Sequence, residues 1–130
     1  FPQTLKEIPT KETFFQEENL INNIKEYKRN AKIILKSRDT DKLNRYTQRY
    51  FPMGIDKEST LKGFKSNGFR VGKVKEDNLE YLPKQYEENY FAYIGIRPKF
   101  HVFSFNVSVR LGFENNKLVG ISSSSSMSHL

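Results

Sequence analysis

The chain has 130 residues, enough for one domain whose core stands without disulfides or a bound metal. With no cysteine and only two histidines, His101 and His129, it excludes disulfides, thiolate metal sites, iron–sulfur clusters and a cysteine nucleophile; almost nothing remains for a histidine metal site. No apolar run reaches the ~18 residues that a membrane-spanning helix needs. Of the net charge of +7, +6 lies between Lys25 and Arg49, where nine basic residues face only Glu26, Asp39 and Asp41. Apolar residues make up 36% of the chain, a modest share offset by 11 Phe and 7 Tyr, each of which buries a large area.

Residues 1–9, with Pro2 and Pro9, read as an extended lead-in, and residues 10–130 as a single domain. The spacing predicts a first helix over Lys11–Ser37 with Thr10 as its N-cap. Glu12, Glu17 and Glu18 come early and the bases late, which suits the helix dipole. Leu20, Ile24, Tyr27, Ala31 and Ile34/Leu35 recur at helical spacing as the core stripe. Lys25, Arg29, Lys32 and Lys36 fall on a face turned well away from it. Such a face is either plain solvated surface or an electrostatic landing strip for an acidic partner.

Asp39-Thr40-Asp41 offers a cap for a second helix from Lys42 to about Tyr50, with Leu43, Tyr46 and Tyr50 on one side; Pro52 then breaks the pattern. Gly54–Phe69 reads as a third helix punctuated at both ends. Asp56 caps it, Leu61 and Phe64 face inward, Gly68 takes the left-handed position after it, and Phe69 folds back on it. Arg70–Lys75 alternates as a strand, Glu76–Asn89 reads as a long polar loop, and Asn89–Arg97 as a second strand. From Phe103 to Phe113, odd-numbered apolar residues alternate with Ser104, Asn106, Ser108, Arg110 and Gly112, giving one buried and one wet face. A turn at Asn115-Asn116-Lys117 leads into a last strand, Leu118 to about Met127. A three-residue loop there matches Phe113 with Val119 and Leu111 with Ile121, apolar to apolar, and leaves Asn116 or Lys117 left-handed in a bulge. The serine run Ser122–Ser126 allows either a continued strand or a frayed end. The expected fold is α+β in two layers: N-terminal helices, with the Leu20–Ile34 stripe inward, packed on a roughly four-stranded antiparallel meander.

No catalytic constellation is legible: there is no nucleophile elbow, P-loop, dinucleotide fingerprint or HExxH motif. Glu87-Glu88 is an adjacent loop pair, Asp56 and Glu58 are accounted for by capping, His101 sits at the edge of a strand, and Gly68–Gly72 is a helix stop. The expectation is therefore of no catalytic residue, no cofactor and no metal. Nucleic acid ranks behind protein as a partner. Zinc-finger spacing and the RRM signature are missing, and the aromatics have a better use as core.

The stretch Phe51–Phe69 (FPMGIDKESTLKGFKSNGF), followed by strands and a closing FxVxVxLxFENNKLVGI hairpin, resembles the small SmpA/OmlA-type envelope lipoprotein domain and the similarly built beta-lactamase-inhibitor-protein-like domains. In those families a glycine-bearing turn opens a short helix and a strand–turn–strand closes the sheet. Gly54, Asp56, Leu61, Gly68, Phe69, Phe113, Lys117 and Leu118 occupy the comparable places. The resemblance covers roughly residues 51–130; the longer basic N-terminal helix and the absence of a lipidation cysteine depart from it. It implies an α+β fold, a bacterial periplasmic or envelope address, and contact with another protein rather than catalysis. A signal or anchor outside this sequence would go with that address, and is the route by which a membrane would be a partner.

The expected function is thus a non-enzymatic secreted or envelope protein-binding domain of the inhibitor, immunity or assembly kind. Lys25, Arg29, Lys32 and Lys36 would recruit an acidic protein, and Tyr81 and Tyr86 would serve as half-buried anchors, unless both only pack their loop onto the domain. The rival from another class is a basic nucleic-acid-binding protein using the Lys25–Arg49 segment.

Overall fold

A computed structural model describes residues 17–82, 84–97 and 103–129. The lead-in at residues 1–9, the expected cap at Thr10, the helix start at Lys11 and His101 lie outside the described residues. Helix α1 (Glu17–Leu35) buries Leu20, Ile24, Tyr27, Ala31, Ile34 and Leu35, the stripe set by helical spacing. Helix α2 (Thr40–Tyr50) starts two residues earlier than expected, because Asp39 alone is its cap: the carboxylate accepts the Lys42 N–H at 2.9 Å. Its buried side is Leu43, Tyr46, Thr47 and Tyr50, and Phe51, in extended conformation ahead of Pro52, ends it. Helix α3 (Lys57–Ser66) is capped by Asp56, which accepts from Ser59 N–H at 3.0 Å. At its other end Gly68 (φ 86°) donates to the Lys65 carbonyl and Phe69 N–H reaches the Phe64 carbonyl, while the two phenyl rings meet edge-on at 5.0 Å.

The sheet is an antiparallel meander of strands β1 (Arg70–Lys73), β2 (Glu88–Ile96), β3 (Phe103–Glu114) and β4 (Lys117–His129), neighbours in that order. The β1 strand is two residues shorter than expected. The stretch Glu76–Asn89, expected as one loop, opens with a 3-10 helix (Glu76–Tyr81) and gives its last two residues to β2. The β3–β4 hairpin also corrects the expected loop. Asn115 and Asn116, both at positive φ (52° and 61°), form a two-residue turn, and Phe113 pairs with Leu118 rather than Val119. A bulge at Val119 then absorbs the odd residue, so that Leu111 pairs with Ile121, Val109 with Ser123, Val107 with Ser125 and Phe105 with Met127, the register that apolar matching predicts. The serine run continues as strand.

Helix α1 packs against both α2 and α3, α2 lies along β4, and α3 lies against β1 and β2. The helices cover one sheet face. There Phe105, Val107, Val109, Leu111 and Phe113 join Leu20, Ile24 and Ile34 in a single buried cluster, completing an α+β fold in two layers. Backbone bonds stitch the Phe51–Asp56 corner to the hairpin: Gly54 N–H to the Leu118 carbonyl (2.7 Å), Leu118 N–H to Ile55 (2.8 Å) and Lys57 N–H to Asn116 (2.8 Å).

A polar seam runs through the helix–sheet junction. Tyr27 Oη lies 2.7 Å from Thr47 Oγ1, which donates to the Leu43 carbonyl (2.8 Å) and sits 3.1 Å from Ser123 Oγ. Alongside it, Asn44 Oδ1 accepts the Ser123 N–H at 2.9 Å, Asn30 Nδ2 donates to Tyr46 Oη at 2.7 Å, and Tyr50 Oη donates to the Asn23 carbonyl at 2.6 Å. Burial pushes the Tyr27 and Tyr50 phenols far above their ordinary range, so both remain protonated donors.

Val109, with no exposed surface, and Ser108, its half-buried neighbour on the other face, separate the two sides of the sheet sharply. Val109→Asp buries an unpaired charge and should cost more than ~4 kcal/mol, leaving the domain unfolded, whereas Ser108→Asp should cost about 1 kcal/mol or less. Thermal melts of the two variants check this; equal losses would contradict the face assignment.

Candidate functional site

On α1, Lys25 and Lys32 are exposed and Arg29 half-buried, on the side turned from the core stripe; the helix ends at Leu35, two residues short of the expected Ser37, so half-buried Lys36 lies in the turn that follows. Arg29 Nε binds Glu26 Oε2 at 3.0 Å and its Nη2 donates to Asn30 Oδ1 at 3.2 Å, so this cation is already held by a carboxylate. Lys28, beside this stripe, donates to the Asn67 carbonyl at the end of α3 (3.1 Å); burial and then the nearby Lys32 push its amine below the usual range.

A second stripe, expected only as part of the Lys25–Arg49 nucleic-acid segment and not of the protein-partner set, lies beside the first. Lys42, Arg45 and Arg49 are all exposed on α2, three and four residues apart. The two helices pack against each other, and the buried Tyr46 phenol lies between them; burial raises its pKa, while the Asn30 hydrogen bond and the Arg29 and Arg49 charges, one from each helix, oppose that rise. Arg45, Gln48 and Arg49 line a shallow open groove. Gln48 also lines a second cavity of about 370 Å³, on the far side of the β4 edge.

The two tyrosines part company. Tyr81, at the end of the 3-10 helix, is 75% exposed. Tyr86 is half-buried, its ring lying against Gly112 and Gly120, a cross-strand pair that leaves no room for a Cβ on either strand. Gly112 alternates with buried Leu111 and Phe113, so Tyr86 sits on the face that the helices leave uncovered, a different layer from the α1 stripe. Tyr86 N–H donates to Asn89 Oδ1 at 3.0 Å and Asn89 Nδ2 returns to the Tyr86 carbonyl at 2.9 Å, which pins the ring's backbone. Gln85 Nε2 ties the same segment to the Leu79 carbonyl at 2.8 Å. The cavity lies beside this ring, and Arg110, Lys84, Asn44 and Ser122 also line it.

Further along the same face, Phe91 lies over Gly72 and Tyr93 is 40% exposed, with Arg70 opposite Tyr93 and Arg110 opposite Phe91. The expectation that aromatics serve the core therefore fails for these two, because β2 alternates and odd positions face outward.

Glu88 belongs to β2 rather than to a loop pair with Glu87. Its Oε2 takes Lys57 Nζ at 2.9 Å, and Lys57 stands 5.8 Å from the Tyr90 ring centroid. That bond lowers the Glu88 carboxyl pKa and raises that of the Lys57 amine. Among the described residues no three His, Cys, Asp or Glu side chains gather as metal ligands, and no helix is long and apolar enough to cross a membrane.

Comparison with known proteins yields no match to a protein-family model, to a curated protein or to a solved structure.

The Lys57–Glu88 bond joins the start of α3 to the start of β2. Because the folded carboxyl titrates below its unfolded value, its contribution is present above the unfolded value and disappears as the pH falls through the folded one. Glu88→Gln should therefore melt lower than the parent at pH 7, with the gap closing only as the pH falls below the ordinary glutamate range. Melting temperatures across that range check the sign; a gap that widens in acid would contradict it.

Proposed function

We propose that the chain is a non-enzymatic protein-binding domain whose α1–α2 surface receives an acidic partner. The observation that carries this reading is the pair of basic stripes, Lys25/Arg29/Lys32/Lys36 and Lys42/Arg45/Arg49, on two successive helices that pack against each other. A solvated helix needs no such pairing, and like charges gathered on neighbouring helices repel one another until an acidic surface neutralises them. Rim charges of this kind chiefly accelerate association, while a few anchors hold the complex. Tyr81, largely exposed, is the anchor offered to a partner; Tyr86 is committed to the sheet on one side.

The proposed address is secreted or envelope-facing and the proposed role that of an inhibitor, immunity or assembly protein, in likeness to the SmpA/OmlA-type and beta-lactamase-inhibitor-protein-like domains. In support, the two motif halves that carry the likeness bond to each other: Gly54 and Ile55 pair with Leu118, and Asp56 bridges to Lys117.

A second reading, single-stranded nucleic acid, is favoured by one observation: Phe91 and Tyr93 face outward two residues apart on a central strand, flanked by Arg70 and Arg110. Such rings can stack successive bases between cations.

The test uses two baits, the parent and a variant carrying Lys25→Glu, Lys32→Glu, Arg45→Glu and Arg49→Glu, all at exposed positions. The variant should melt within a few degrees of the parent yet associate at least ~10-fold more slowly with the acidic protein that the parent captures, the gap closing at high salt. Equal association rates at low salt would overturn the reading. Binding of an oligothymidylate strand with a steep salt slope, abolished by Tyr93→Ala and not by the helix changes, would replace it with the second.

A further inference from the structure

We infer that the cavity beside Tyr86 is a binding site for an anionic small molecule with a flat apolar body, a ring system bearing one carboxylate, sulfonate or phosphate group. Its volume of about 370 Å³ lies within the ~300–1,000 Å³ range of small-ligand pockets. One side is apolar, formed by Val74, Leu82 and the Tyr86 ring. The charged side chains on the lining are Arg110 and Lys84, with no carboxylate among them. Lys84 Nζ stands 5.3 Å from the Tyr86 ring centroid, so a positive charge and an aromatic face already adjoin.

Arg110 marks the anion end. Among the described residues Arg110 has no carboxylate within salt-bridge distance, and none lines the cavity to compete with an anion for it. Its planar fork suits a bidentate anion better than an ammonium would. Asn44 commits its Oδ1 to Ser123 N–H, leaving its Nδ2 donor for an oxyanion at the rim, and Gln48 adds a second carboxamide.

The apolar end is built at a cost. Glycines within strands weaken them, and here two stand opposite one another at Gly112 and Gly120. What they allow is the close approach of Tyr86, which any side chain on either strand would displace. The ring is thereby fixed as a preformed wall, with the Tyr86–Asn89 bonds securing its backbone.

This site is separate from the α1–α2 partner surface and stands or falls independently of it. The test probe is 8-anilinonaphthalene-1-sulfonate, an anion on flat apolar rings whose fluorescence rises on binding, titrated into the full chain. One saturable site is expected. Arg110→Gln, at an exposed position, should weaken it at least ~10-fold with an unchanged melting temperature, consistent with loss of a charge-assisted hydrogen-bonded contact. Lys84→Gln should weaken it several-fold, and Lys25→Glu/Lys32→Glu should leave it unaltered. The uncharged analogue N-phenyl-1-naphthylamine should bind the parent at least ~10-fold more weakly than the sulfonate. No saturable binding, more than one equivalent bound, or equal affinity in the Arg110→Gln protein would each overturn the inference.

Discussion

The seam joining Tyr27, Thr47 and Ser123 is the interaction on which the arrangement of this domain depends. A helix lying on a sheet through apolar contact alone can slide and rotate at little cost, since dispersion and burial carry no direction. Hydroxyls 2.7 and 3.1 Å apart do carry direction. They fix α2 along β4 at one register and tie α1 to both, in surroundings where an unmet hydroxyl would cost about 1–3 kcal/mol. The Asn44 bond to the Ser123 amide then occupies a backbone donor on an edge strand, which would otherwise invite pairing with another chain.

Both candidate surfaces follow from that placement. With Leu43, Tyr46, Thr47 and Tyr50 held inward, Lys42, Arg45 and Arg49 must face solvent, and they do so beside the α1 stripe. The same rotation sets Asn44 and Gln48 at the β4 edge, where they close one side of the cavity that Tyr86, Lys84 and Arg110 bound on the other. The serines of β4 belong to the same logic. Ser123 is small enough to let α2 approach and polar enough to bond Thr47, which a β-branched apolar residue could not do.

Local chemistry made much of the fold legible. Asp39 and Asp56 as caps, and Phe64, Gly68 and Phe69 as a helix terminator, act over a few residues and read directly from spacing. The β3 alternation likewise identified the buried face, and apolar matching placed Ile121 opposite Leu111. An unbroken apolar register counted back from Ile121 gives a three-residue loop, whereas the chain uses a tighter two-residue turn and recovers the count with a bulge at Val119. The Glu76–Tyr81 helix escaped notice because it lacks an apolar period, with none of its residues buried, and bonds such as Gln85 to Leu79 hold its segment in place. For the surfaces, the α1 stripe is periodic and visible in sequence. Its union with α2, and the meeting of Gln48, Tyr86 and Arg110 around one cavity, join residues far apart in the chain and exist only once the seam has set α2 in place.

Hydrogen exchange at the Ser123 amide tests that dependence most directly. This edge-strand amide should be protected to nearly the same extent as the buried Val109 amide, and Asn44→Ala should lower its protection at least ~10-fold while Val109 is unchanged. A Ser123 amide that exchanges in the parent as fast as an open edge amide, or that is indifferent to Asn44→Ala, would contradict it.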